Sequence, residues 1–140
     1  MTQRVLLDTG PFVAFLDGRD RHHVWARAVL HKVKPPLFTC EAVITEACHL
    51  LRHLPGGRRA VVEVVRRGRL SIPFRLAEEA AAVEALIDRY SDVPMALADA
   101  CLVRMAELDA TARLLTLDGD FHVYRRDGGG VIPLLESIPS

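Results

Sequence analysis

Five acidic residues stand in surroundings that ordinary surface solvation does not explain. Asp8 follows Val5-Leu6-Leu7, Glu46 follows Val43-Ile44-Thr45, and Asp99 lies within Met95-Ala96-Leu97-Ala98-Asp99-Ala100-Cys101-Leu102-Val103. Asp118 and Asp120 follow Leu114-Leu115-Thr116-Leu117. On a helix, the positions three and four away from Asp99 are Met95, Ala96, Leu102 and Val103, and around Glu46 they are Ala42, Val43, His49 and Leu50. Neither acid is therefore given a permanent positive charge by its own helix. A buried unpaired carboxylate is costly, so each must find a proton, an arginine from elsewhere or a metal ion. If Asp8, Glu46, Asp99 and Asp118 converge, their mutual repulsion calls for a cation. Oxygen donors without Cys or His select Mg²⁺ or Mn²⁺ over zinc. An ion held in this way lowers the pKa of a bound water and clamps a phosphate for in-line attack.

Singly, each acid also reads as a helix cap, a turn acceptor or half of a salt bridge; the four together favour a shared site. Asp118 is favoured as a ligand and Asp120 as accessory, with Gly119 between them leaving the turn geometry open. Asp92, two residues before Pro94, reads as a helix-start acceptor.

The elements that must position these acids alternate between strands and helices. Val5–Leu7 is a short buried strand running through Asp8-Thr9-Gly10-Pro11 into a helix. Val24, Trp25, Ala28 and Val29 recur at helical spacing until Pro35-Pro36, and Leu37-Phe38-Thr39 is a second strand. Thr39 is expected to cap a helix from about Glu41 to His53, and Pro55-Gly56-Gly57 breaks the chain before a helix from Arg58 to Arg67. Leu70 to Pro73 is a third strand, and Leu76 to Tyr90 is strongly helical. Pro94 fits the first turn of a helix running on from Met95 to Leu108, whose few polar positions, Asp99, Arg104 and Glu107, require it to be largely buried. Arg113 to Leu117 is a further strand, Asp118 to Phe121 a turn, and Val131-Ile132 a last strand after Gly128-Gly129-Gly130. This alternation predicts one α/β domain over 1–140, a three-layer α/β/α sandwich on a central, mainly parallel sheet. Asp8 and Asp118 fall at C-terminal strand ends, outside which such sheets place their ligand sites.

Composition narrows the function. With 18 Lys plus Arg against 18 Asp plus Glu in 140 residues, the chain cannot coat polyanions by bulk charge. Locally the balance breaks: Arg52, Arg58, Arg59, Arg66, Arg67, Arg69 and Arg75 face Glu63 alone. They read either as a phosphate-contacting rim for RNA, with Arg58, Arg59, Arg66 and Arg67 as candidates, or as a solvated face paired with Glu78, Glu79 and Glu84. Cys40, Cys48 and Cys101 are odd in number and lack C-x-x-C spacing, which argues against a disulfide framework or a zinc ribbon. No apolar run approaches the ~18 residues of a membrane span, and the N-terminal one is too short for a signal-peptide core. A cytoplasmic protein with no membrane association is expected.

At this point the sequence resembles a known family. Leu6-Leu7-Asp8-Thr9-Gly10-Pro11-Phe12-Val13-Ala14, the Val43-Ile44-Thr45-Glu46-Ala47 helix, Leu97-Ala98-Asp99-Ala100 and Leu115-Thr116-Leu117-Asp118-Gly119-Asp120-Phe121 look like the successive motifs of PIN-domain ribonucleases, especially VapC-type toxins. The match spans nearly the whole chain. The resemblance implies a PIN-like parallel sheet between helices and Mg²⁺- or Mn²⁺-dependent endonucleolytic cleavage of RNA. By position, the ligands would be Asp8, Glu46, Asp99 and Asp118 with Asp120 close by, and Thr9 and Thr116 would orient the cluster. It further implies a homodimer and a small antitoxin whose C-terminal tail covers the site.

Other signals are weaker. Asp8-Thr9-Gly10 also matches the aspartic-protease signature, but that fold is all-β and this chain is dominated by helical periodicity. His49 and His53 could bind zinc if a third ligand approached, while His22 and His23 read as surface residues. Trp25, Phe12, Phe15 and Phe121 read as core or dimer contacts rather than base-stacking platforms. Two functions follow. The first is a metal-dependent endoribonuclease toxin that cleaves single-stranded or loop RNA with a metal-activated water. The alternative is a non-catalytic interaction module of the same fold, binding RNA or a protein partner.

Overall fold

A computed structural model describes residues 3–126 and 129–140, so Gly128 of the expected glycine turn lies outside the described residues. Four strands, β1 (Val5–Leu7), β2 (Leu37–Phe38), β3 (Leu70–Ser71) and β4 (Arg113–Leu115), form a parallel sheet in the order β3-β2-β1-β4. Leu6 pairs with Phe38 on one side and Leu114 on the other. Each crossover carries two helices: α1 (Thr9–Leu16) and α2 (His23–His31), α3 (Glu41–Leu50) and α4 (Gly57–Arg66), then α5 (Leu76–Arg89) and α6 (Leu97–Leu108). Helices α1 to α4 pack among themselves and α5 packs on α6, giving the expected three-layer α/β/α sandwich.

Covering both faces explains why β1 reads as an unbroken apolar run: Val5, Leu6 and Leu7 are all buried. Helix α6 is buried as its composition required, from Ala98 through Val103 and again at Met105 and Ala106. Phe12 and Phe121 are core residues, and Trp25 packs partly buried against the core. All three cysteines are free thiols. Among the described residues, no helix is long and apolar enough to cross a membrane.

Several local expectations are corrected. Thr39 does not cap the following helix. Its hydroxyl donates to the Leu7 carbonyl at 2.7 Å and ties β2 to β1, while Cys40 occupies the cap position without a side-chain bond. Helix α3 stops at Leu50, because the chain must turn sharply to reach α4. At that turn Gly56 has φ +71°, and a Cβ on Gly57 would lie 2.4 Å from the Leu51 carbonyl oxygen. His53 therefore lies beyond the helix and does not extend a face with His49. Strands β3 and β4 end two residues earlier than predicted, at Ser71 and Leu115. Pro94 precedes α6 rather than entering its first turn; the helix starts at Leu97 with Ala96 as cap, so Asp92 is not its start acceptor. The last strand is displaced too: β6 (Gly130–Val131) pairs antiparallel with β5 (Arg125–Arg126), a strand the sequence had not suggested. The chain beyond it covers the outer edge of β4, where the Leu114 N–H donates to Pro133 and the Leu135 N–H donates to Leu114, both at 2.9 Å.

Candidate active site

The strand order reverses between β1 and β4, since the chain moves from β1 outward to β2 and β3 and then returns to β1's other side. A crevice at this switch point is where open parallel sheets hold ligands. Asp8 is the first residue past β1, and Thr116 the first past β4. A Cβ on Gly10 would stand 3.2 Å from the Leu117 Cβ, so glycine lets the first turn of α1 lie close against the chain leaving β4. The two acidic segments are brought side by side in this way.

Asp8, Glu46, Asp99, Asp118 and Asp120 all line one open cavity of about 930 Å³. Asp8 caps α1, with Oδ1 accepting the Thr9 N–H at 2.7 Å. Its Oδ2 accepts the Thr116 hydroxyl, also at 2.7 Å. Thr116 Oγ1 in turn accepts the Asp118 N–H at 2.9 Å, and Asp118 Oδ1 accepts the Asp120 N–H at 2.9 Å. On the other side the Thr9 hydroxyl donates to Glu46 Oε1 at 2.7 Å. One hydrogen-bonded chain thus links Glu46, Thr9, Asp8, Thr116, Asp118 and Asp120. Asp99 stands apart from it, with Oδ2 accepting the Tyr124 hydroxyl at 3.1 Å and the Ala96 N–H at 3.4 Å.

The single-residue readings prove compatible with a shared site, because Asp8 and Asp118 are both caps and cavity residues. Every donor to these carboxylates among the described residues is neutral. Among the described residues, none of the five acids forms an ion pair. Burial pushes the Asp8 carboxyl up to about 6; the Thr116 and Thr9 bonds oppose this, and the charges of Asp99 and Asp118 add to it. Asp99 is likewise raised, first by burial and then by Asp118 and Glu46, against the Tyr124 and Ala96 bonds. The acids therefore feel one another's charge.

Among the described residues, no group of three or more His, Cys, Asp or Glu side chains is already arranged to grip a metal ion. The donor chemistry nevertheless fits a hard divalent cation. The cavity collects carboxylate oxygens whose repulsion no cation among the described residues offsets, and no sulfur ligand among those residues lines it. His49 is on the rim, one turn from Glu46, but His53 is not, so the zinc reading has no support.

Tyr124 is the residue sequence reasoning missed. It is fully buried, and its ring meets Phe121 and Tyr90 edge-on at centroid distances of 5.2 and 5.1 Å. A buried tyrosine hydroxyl requires a partner, but nothing local names Asp99, 25 residues away, as that partner. The arginine-rich segment is mostly unpaired. Arg67 meets Glu63 and Arg75 meets Glu78, while Arg58, Arg59, Arg66 and Arg69 form no ion pair with a described residue. Glu79 is taken by Arg104 instead.

The comparisons agree with this fold. A family model described as PIN domain matches residues 5–127. The chain is similar to the crystal structure of Mycobacterium tuberculosis VapC20, a sarcin-ricin loop cleaving toxin, with a TM-score of 0.69 and 21% sequence identity. That match covers 85% of this chain and 93% of the other. No curated protein matches the sequence.

Proposed function

The chain belongs to the PIN domain family, and from that premise we propose that it is a divalent-cation-dependent endoribonuclease, the toxin of a toxin–antitoxin pair. The observation that carries this reading is the cavity at the β1/β4 switch point, where carboxylates converge with neutral donors only. The similarity to a toxin that cleaves the sarcin-ricin loop supports RNA, single-stranded or in a loop, as the substrate class.

Asp8, Glu46, Asp99 and Asp118 would hold Mg²⁺ or Mn²⁺, with Asp120 accessory. Such a cation supplies Lewis-acid activation of water and neutralisation of phosphate charge. Thr116 and Thr9 fix the orientation of Asp8 and Glu46 by donating to one oxygen of each. Because these donors are neutral, the carboxylates keep their charge for the cation. The same charge repels a phosphodiester from the bare site, so substrate binding and cation binding are coupled. Arg58, Arg59, Arg66 and Arg67 are exposed, Arg67 beside Glu63, and they supply phosphate contacts that orient RNA without reading bases. The products would carry 5′-phosphate and 3′-hydroxyl ends. A cytoplasmic homodimer and an antitoxin tail that places an arginine among the carboxylates complete the proposal.

Incubation with total RNA, with and without Mn²⁺, followed by mapping of cut sites, tests it. Cleavage is expected with Mn²⁺ and is lost with chelator or in Asp8→Asn. Uptake of no Mn²⁺ at millimolar concentration, or cleavage indifferent to chelator, would overturn the metal mechanism. RNA or protein binding without cleavage would identify an interaction module instead.

A further inference from the structure

We propose that Tyr124 is a positioning residue for the acidic site, acting through Asp99; this rests on reading the pocket as a divalent-cation site. Asp99 is held differently from the other acids. Unlike Asp8, it receives no threonine hydroxyl, and the Ala96 N–H at 3.4 Å is a long bond from its own helix start. The short chain linking the other acids does not reach it. What fixes the Asp99 carboxylate from outside its helix is the Tyr124 hydroxyl at 3.1 Å.

Tyr124 itself has little freedom to move. Its ring is fully buried between the edges of Tyr90 and Phe121. The next residue is also held, since the Arg125 N–H donates to the Tyr90 hydroxyl at 2.7 Å. Tyr124 follows closely on the turn that carries Asp118 and Asp120, and its own N–H donates to the Asp120 carbonyl at 3.1 Å. One side chain therefore connects the Asp118–Asp120 turn to the acid on α6. Among the described residues, every buried side-chain oxygen has a hydrogen-bond partner, and Asp99 Oδ1 accepts from none. Oδ1 must then be open to solvent at the cavity, while Oδ2 is held. By occupying Oδ2, Tyr124 selects which oxygen Asp99 offers to a cation and in which orientation. Partners of this kind to ligating groups are typically worth about 10- to 100-fold in metal affinity.

Tyr124→Phe removes the hydroxyl and keeps the ring. Calorimetric titration with Mn²⁺ is expected to show affinity lowered by about 10- to 100-fold. Tyr90→Phe, which loses a hydroxyl from the same aromatic cluster but not from Asp99, is expected to bind Mn²⁺ as the wild type does. In an Asp99→Asn background, Tyr124→Phe is expected to cause no further loss. A merely structural tyrosine would lower the melting temperature equally with and without Mn²⁺ and leave the affinity unchanged; that result overturns the proposal. If the wild type takes up no Mn²⁺, the cation-site reading falls and this inference with it. Should Tyr124→Phe not fold, the wild type still decides. The chain has only two tyrosines, so ζ-carbon NMR resonances can be assigned with Tyr90→Phe alone. Mg²⁺ should shift the Tyr124 resonance along the binding curve and leave that of Tyr90 in place, and a Tyr124 resonance unmoved at Mg²⁺ saturation overturns the proposal.

Discussion

The two ends of helix α6 treat carboxylates in opposite ways. Toward the C-terminal end, Arg104 Nε lies 2.7 Å from Glu79 Oε1, and Arg104 also reaches Glu107 Oε1 at 3.3 Å. At the N-terminal end, Asp99 shares a cavity with four other acids and, among the described residues, accepts from a tyrosine hydroxyl and a backbone N–H alone. One guanidinium settles the first group internally. Neutral donors orient the second group without cancelling its charge, and burial then raises Asp8 and Asp99. The comparison separates acids that a guanidinium pairs from acids that, among the described residues, only neutral groups contact.

The largest effect should come from breaking the second group. Asp8→Asn or Asp99→Asn is expected to lower RNA cleavage on the order of 10³-fold with the circular-dichroism spectrum unchanged. Full activity in either variant would remove the distinction between the two ends.

Next in size is a pH effect on stability in the absence of divalent cations. The native state holds the Asp8 proton more tightly than the unfolded chain does, about 6 against an ordinary value of 3.8. The resulting stability is present below about pH 4 and is lost as pH rises to about 6, at a cost on the order of 3 kcal/mol. Urea denaturation should therefore find Asp8→Asn gaining on the wild type between these pH values. Mn²⁺ should restore the wild type near neutrality and leave the variant unchanged. A constant difference across pH would mean that Asp8 is settled as firmly as Glu107.

The C-terminal end should respond in the reverse sense. Arg104→Met removes the guanidinium that two partly buried carboxylates share and is expected to cost about 1–3 kcal/mol of stability, read from the urea midpoint, while cleavage per folded molecule stays at the wild-type rate. The smallest effect is expected from Arg58→Ala with Arg59→Ala. Stability should hold, RNA affinity should fall several-fold, and the salt-dependence slope should shrink by about 1.4 if both contact single-stranded phosphates. An unchanged slope would make this segment a solvated face and no more.

Most of the architecture was legible because burial leaves a pattern in composition. Val5–Leu7 reads as a strand covered on both faces, and the apolar length of α6 reads as a buried helix. The five acids were legible for the same reason, since carboxylates inside apolar stretches are conspicuous. Boundaries fared worse where a side chain had two uses. Thr39 has the type of a helix cap but spends its hydroxyl on Leu7, a residue 32 positions away. Pro94 suits a helix start, yet the turn ahead of α6 uses it first. Strand β5 is two arginines, Arg125 and Arg126, with no apolar signal at all.

By itself, the sequence determined the alternation of strands and helices, the shared sheet and which acids lie against apolar sequence, because each follows from local periodicity and from the cost of placing charge beside apolar residues. Only the tertiary structure decided how those acids are held. The β1/β4 switch point, the close approach at Gly10, the threonine links and the hydroxyl of Tyr124 on Asp99 all join residues distant in the chain. Such contacts arise from packing, and local sequence carries no energy that names the partner.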